Sequence, residues 1–344
     1  MYIHYNLILV FSLLYLFFLN ILFKRFNFIV DKNTLNYTHK AFVNKKNNVV
    51  PLSGGIFILT YIFILKFEYS YYLLLIYILG LSSDIDILKS PKFRMLFQFF
   101  IVGSLLVHKD IYIPEIRIEF VNNLFNKYKI ISFIFSIFCL LILINGSNFI
   151  DGVNNLLSGY FLIVLIFILL AVNKNELIFN SQNYKALFFI LLVFFIYNFF
   201  NKSFLGDGGS YLLGFLMGIS LITFFQENTK VSPYFIINLL WYPAFEIFFS
   251  IIRRLYYKSK TSVSDNMHLH HIIFFIFTKK FNIKFFFISS TVGILINIFN
   301  SIIFYFAIKN IYSSKFQLSV TFLSIIFYLL TYFLFLNWYK KLKK

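Results

Sequence analysis

Cysteine is nearly missing from this sequence of 344 residues: Cys139 stands alone, which excludes an internal disulfide framework and a thiolate metal cluster. Charge is scarce too. Only 13% of the residues are charged, and a soluble domain of this length would need far more polar surface to stay dissolved. No Pro- or Ser-rich linker and no internal repeat divides the chain, so one domain over 1–344 is the simplest organisation. What fills the sequence instead is apolar. Hydrophobic residues make up 60% of it, gathered in runs of about 20, the length that crosses a hydrocarbon core as a helix. The 52 Phe and 24 Tyr suit lipid-facing surfaces and interfacial belts.

These runs predict an all-α, polytopic membrane bundle of about 10–11 transmembrane helices. They lie near 4–23, 50–66, 69–87, 95–113, 130–149, 156–172, 186–200, 209–225, 232–251, 285–307 and 316–338. The first run lacks a basic start and a small-residue cleavage site, and reads as a span rather than a signal peptide. Of the 31 Lys and Arg, 21 fall in segments that share a side when the N-terminus lies outside: 24–49, 84–94, Lys202, 252–284 and the C-terminal tail. The positive-inside bias therefore predicts a periplasmic N-terminus and a cytoplasmic C-terminus. Basic loops beside an anionic leaflet and anionic substrates account for the net charge of +18, without nucleic acid as a partner.

The same placement puts Asp84, Asp86, Asp151, Asp207, Asp265, His268, His270 and His271 on the inner side, although only Lys and Arg set the topology. Polar residues of a purely structural protein would scatter over both faces. Cytoplasmic active-site loops are therefore expected near 24–49, 84–94, 145–155, 201–208 and 252–284.

Four of these segments have residues suited to chemistry. In GLSSDIDILKSPKFRMLFQ (80–98), Asp84 and Asp86 end one span while Lys92 and Arg94 open the next. Acid beside base suits a divalent cation or a proton acceptor near a bound phosphate, or else an interfacial loop with snorkelling charges. In the segment 145–159, Asn145, Asn148, Asp151 and Asn154 recur every third residue, and Asn155 follows. That spacing places amides and a carboxylate on one side of a helical turn, more of them than a helix cap needs. LGDGGSYLLG (205–214) sets Asp207 between glycines before a long apolar run, where the backbone can approach an anion and the carboxylate can hold a hard cation. A glycine turn with an Asp cap is the plain alternative. In RRLYYKSKTSVSDNMHLHH (253–271), Arg253, Arg254, Lys258 and Lys260 precede three histidines. No cysteine or nearby Glu completes a zinc set, so a pyrophosphate-binding site is the better reading.

In this order the segments resemble the polyprenyl-phosphate N-acetylhexosamine-1-phosphate transferases, membrane enzymes that start cell-envelope glycan assembly in bacteria. The resemblance covers most of the chain. It begins at His39-Lys40 and Pro51-Leu52-Ser53-Gly54-Gly55 and continues through 90–98, NGSNFIDG (145–152) and GDGGSYLLGF (206–215). PAFE (243–246), RRL (253–255) and HLHH (268–271) complete it. The His-Leu-His-His form is similar to the branch that acts on UDP-N-acetylhexosamines.

The resemblance implies transfer of an N-acetylhexosamine 1-phosphate from a UDP-sugar to polyprenyl phosphate, with release of UMP. It implies Mg²⁺, or Mn²⁺ in its place, on Asp207 with Asn148 as neighbour. His268, His270 and Arg253 are expected to hold diphosphate oxygens, with Arg254 and His271 beside them. Asp84 would position or activate the lipid phosphate, and Lys92 and Arg94 would attract it. Asn145, Asp151 and Asn154 would recognise uridine and the donor. The expected location is the bacterial inner membrane, with a homodimer left open. Two competing readings are a secondary transporter, which should carry its polar residues at mid-membrane in discontinuous helices, and a non-catalytic scaffold.

Overall fold

The computed structural model describes residues 5–27, 29–31, 49–256 and 267–343. His39, Lys40, Lys258, Lys260 and Asp265 lie outside the described residues. In hydrocarbon each backbone N–H and C=O must be satisfied within the chain, which leaves helices as the way for these apolar runs to cross. The first half runs through α1 (Tyr5–Arg25), α2 (Gly54–Ile64), α3 (Ser70–Asp84), α4 (Pro91–Lys109), α5 (Glu119–Lys127) and α6 (Lys129–Ile150). The second continues with α7 (Leu156–Asn175), α8 (Ser181–Phe199), α9 (Gly206–Glu227), α10 (Pro233–Tyr256), α11 (Leu269–Lys280), α12 (Phe285–Ala307) and α13 (Ser314–Lys343). The described strand structure is a two-residue antiparallel pairing of β1 (Val30–Asp31) with β2 (Val50–Pro51).

Each expected span coincides with a helix. Among the described residues, eight helices are long and apolar enough to cross a membrane: α1, α6, α7, α8, α9, α10, α12 and α13. The other three expected spans fall short for visible reasons. Helix α2 has 11 residues and α3 has 15, whereas a 30 Å core needs about 20. Helix α4 reaches 19 residues but carries Lys92, Arg94, Gln98 and His108. The apolar windows did not predict α5 and α11, of 9 and 12 residues, because each is too short to fill one.

Helix α9 is the centre of the bundle, enclosed along nearly its whole length and packed chiefly on α3 and α6. Close approach to α3 requires Gly80: a Cβ there would lie 2.6 Å from the backbone of Asp207 and Gly208. By contrast α13 turns most of its surface outward, as a lipid-facing helix would. Pro243 sits inside α10 and has no N–H to give the carbonyl of Leu239 one turn earlier. The buried Tyr160 hydroxyl of α7 donates to that carbonyl instead, at 2.9 Å.

Helix alternation brings the ends of α3, α6 and α10 and the starts of α4, α7 and α9 to one side. At the opposite side Arg117 ties three connections together. It donates to the carbonyls of Lys230 (2.7 Å), Val231 (3.2 Å) and Tyr312 (2.8 Å) and to Ser314 Oγ (3.1 Å).

Candidate active site

The site starts at the N-terminus of α9, where the first backbone N–H groups have no partner within the helix. Asp84, the last residue of α3, satisfies them from outside. Its Oδ1 accepts the Asp207 N–H at 2.8 Å and its Oδ2 accepts the Gly208 N–H at 3.0 Å. A carboxylate at this position also meets the positive end of the helix dipole. Gly206 makes the approach feasible, with φ +73 and no Cβ, which would fall 2.6 Å from Asp84 Oδ2. A second brace comes from the Pro51–Gly54 segment. The Phe204 N–H donates to Pro51 O at 3.0 Å and the Gly54 N–H donates to Phe204 O at 2.9 Å. Beneath them the buried Ser53 hydroxyl bonds Ser203 at 2.8 Å.

This scaffold presents the Asp207 side chain, about a third exposed (31%), to three donors from three elements. Asn148 Nδ2 donates to Oδ1 at 2.7 Å, while Ser83 Oγ (2.7 Å) and Arg94 Nη1 (3.0 Å) share Oδ2. Arg94 Nη1 also donates to Ser83 Oγ. Asp84, Arg94, Asn148 and Asp207, all expected site residues, are therefore one cluster.

The histidines form a second cluster on the same helix end. Phe149, next to Asn148, packs its ring 5.4 Å from that of His268. The His268 and His270 rings stack at 5.5 Å, and those of His270 and His271 lie 4.3 Å apart. The turn after α6 reaches them as well, since a Cβ on Gly152 would lie 2.6 Å from His270 Nε2 and 2.8 Å from His271 Cε1. Asp151, half-buried, occupies that same turn.

Buried acid orients the first histidine. Glu246 of α10 is fully buried, and its Oε2 accepts His268 Nδ1 at 2.8 Å. Its Oε1 accepts the hydroxyls of Tyr328 (2.7 Å) and Tyr242 (3.2 Å). In the sequence, PAFE (243–246) gives Glu246 no evident role. The available signal was a lone acid inside a long apolar span, which is costly unless paired.

Several expected ligands are put to other uses. Arg253 is buried and donates through Nη1 to the Met267 carbonyl (2.6 Å) and Tyr332 hydroxyl (3.0 Å), so it fixes the backbone that presents His268. Asn145 donates to Gln98 Oε1 at 2.7 Å and joins α6 to α4. Asn154 is buried; its N–H donates to Ser289 Oγ (2.9 Å) and its amide to Asn201 Oδ1 (3.2 Å). Neighbouring Asn155, at φ +64, accepts Asn297 Nδ2 on its carbonyl at 2.8 Å, so this pair anchors the start of α7. Lys92 lies exposed at the start of α4, and Arg254 is half-buried at the end of α10.

Among the described residues no three His, Cys, Asp or Glu side chains gather as a metal cage. The Asp207 cluster still suits a hard cation, because Mg²⁺ is commonly held by one or two carboxylates together with substrate phosphates. Asp207 supplies a partly exposed carboxylate, and the Asn148 amide lies next to it, with its Nδ2 at 2.7 Å.

Comparison with known proteins finds a family model, Glycosyl transferase family 4, matching residues 67–225. An undecaprenyl-phosphate alpha-N-acetylglucosaminyl 1-phosphate transferase of Thermotoga maritima is 30% identical over 131 residues, 38% of this chain and 39% of the relative. A protein of Bacillus subtilis named "Probable undecaprenyl-phosphate N-acetylglucosaminyl 1-phosphate transferase" is 35% identical over 130 residues, 37% and 36% of the two chains. These two matches span well under half of either relative. The undecaprenyl-phosphate alpha-N-acetylglucosaminyl 1-phosphate transferase of Escherichia coli K12 is 25% identical over 292 residues, 77% of this chain and 74% of the relative.

Proposed function

We propose that this chain, whose residues 67–225 match the glycosyl transferase family 4 model, moves an N-acetylhexosamine 1-phosphate from a UDP-sugar to undecaprenyl or a related polyprenyl phosphate. One observation carries the reading: the last turn of α6 holds the anionic cluster through Asn148 and the histidine cluster through Phe149, side by side. Two phosphates must meet there. The acceptor phosphate oxygen attacks the sugar-bearing phosphorus, the anhydride bond to the α-phosphate breaks, and UMP leaves.

The difficulty is repulsion between anions, so positioning and charge neutralisation dominate. A phosphate monoester, with a second pKa of about 6, is mostly dianionic at neutral pH and needs no strong base. Lys92 and Arg94 attract the lipid phosphate at the membrane surface. His268, fixed by Glu246, and the adjoining His270 and His271 receive the diphosphate oxygens and stabilise charge as it develops. Arg253 holds the backbone of that loop, and Asp84 holds the helix start that presents Asp207. Asp151, in the turn beside the histidines, faces the donor. A divalent cation on Asp207 and Asn148, when bound, would act as a Lewis acid on the phosphate oxygens.

The positive-inside bias supports a cytoplasmic face for the loops of this site, in a bacterial inner membrane, which fits a nucleotide-sugar donor. The product would begin a cell-envelope glycan. Purified protein given Mg²⁺, undecaprenyl phosphate and radiolabelled UDP-N-acetylglucosamine should yield lipid-extractable sugar. Label that stays in the water phase with each UDP-N-acetylhexosamine tried would overturn the reading.

A further inference from the structure

Asp207 already has a cation of the chain's own. Arg94 Nη1 sits 3.0 Å from Oδ2, and with Ser83 on the same oxygen and Asn148 on Oδ1, both carboxylate oxygens accept protein donors. The Arg94 side chain is only 17% exposed, yet its buried Nε has no hydrogen-bond partner among the described residues. The guanidinium is thus tied to Asp207 through one edge atom, with a further donor unused.

A divalent cation needs the lone pairs that these donors occupy. It also repels a guanidinium held at hydrogen-bond distance from the same oxygen. We propose that Arg94 is a resident counter-ion of Asp207 which a divalent cation must displace, so that guanidinium and metal hold this carboxylate in alternation. The proposal rests on reading Asp207 as the cation ligand. It has a functional consequence. A displaced Arg94 can turn its planar edge to phosphate oxygens, which Lys could not meet bidentately. By linkage, a phosphate that captures Arg94 raises affinity for the cation, and the cation raises affinity for phosphate equally.

Binding of Mn²⁺ to the detergent-purified chain, followed by loss of the free-ion electron paramagnetic resonance signal, tests this without turnover. Arg94→Met removes the charge and keeps the stem. It should tighten Mn²⁺ binding about three- to tenfold, the scale of one partly exposed charge-assisted hydrogen bond. Asp207→Asn should abolish the site. Unchanged or weaker binding in Arg94→Met, alongside a defective Asp207→Asn, overturns the displacement. Undiminished binding in Asp207→Asn overturns instead the reading of Asp207 as the cation ligand. The unmodified chain gives a check free of any folding defect: Mn²⁺ should raise phenylglyoxal labelling of Arg94 severalfold, and equal or lower labelling contradicts the proposal.

Discussion

Asp84 holds Asp207 by its backbone, not by its side chain: the Asp84 carboxylate accepts the Asp207 and Gly208 N–H groups at 2.8 and 3.0 Å. The two aspartates thus have separate tasks, Asp84 fixing the helix start while the Asp207 side chain accepts Asn148, Ser83 and Arg94. Asp84→Asn replaces one acceptor oxygen with a donor and removes the charge at the helix N-terminus. A stability loss of about 1–2 kcal/mol is expected, as for a lost N-cap. Thermal unfolding in detergent would show it, and a melting temperature equal to that of the unmodified chain would remove Asp84 from this role.

Asp207→Asn is expected to act on rate. It preserves shape but binds a hard cation poorly, and losing one electrostatic stabiliser costs about 100- to 1000-fold. Asp86, in the turn after α3 at φ +63, should tolerate the same change far better. Titrating Mg²⁺ into both variants separates them. An active Asp207→Asn with unaltered metal requirement, beside a dead Asp86→Asn, would put the cation in the other loop.

Glu246 should be indispensable to the histidine loop. Truncation to Ala leaves His268 Nδ1 and two tyrosine hydroxyls without their buried acceptor. Breaking such a buried pair costs about 3–5 kcal/mol, so poor yield or a much lower melting temperature is expected. Glu246→Gln keeps an oxygen for these donors and should fold better while losing turnover. A Gln variant with full activity would mean that the carboxylate charge does not matter to His268.

Arg253→Lys should impair turnover more than Lys258→Arg. The guanidinium reaches Met267 O and the Tyr332 hydroxyl together while lying over the Phe249 and Tyr332 rings at 5.5 and 5.7 Å. A Lys ammonium lacks that planar fork. Similar kcat values for the two variants would show that this arginine does not set the loop.

At the far end of the bundle, Arg117→Ala is a contrasting case. It strips the donors from the Lys230, Val231 and Tyr312 carbonyls and should cost about 2–3 kcal/mol of stability. Activity measured well below the melting temperature should survive. A large kcat loss with an unchanged melting temperature would point to coupling between the two ends.

Much of this was legible in the residues. Apolar runs located eleven helices, eight of them long and apolar enough to cross a membrane, because lipid forces such runs into helices, and Asp207 stood out as a carboxylate among glycines at a helix start. What the pattern could not give was the direction of each side chain. Asn145, Asn148 and Asn154 share one spacing and one residue type, yet Asn148 meets Asp207, Asn145 meets Gln98 and Asn154 meets Asn201. Arg253 looked like a phosphate ligand because arginine beside histidine suits an anion, but burial against Phe249 and Tyr332 directs it to a backbone carbonyl. Glu246 went unassigned because two of its three partners, His268 and Tyr328, come from 22 and 82 positions away, a separation that no local spacing reveals.

In the proposed reaction, phosphorus moves together with the sugar. UDP-N-acetylglucosamine labelled with ³²P at the β-phosphate distinguishes this from simple glycosyl transfer, because only attack on that phosphorus carries the label into lipid. ³²P should enter the organic phase with an equal amount of UMP in the aqueous phase, and both should form about 100- to 1000-fold more slowly with Asp207→Asn. Labelled UDP or inorganic phosphate in the aqueous phase, with sugar but no ³²P in the lipid, would contradict the proposed reaction.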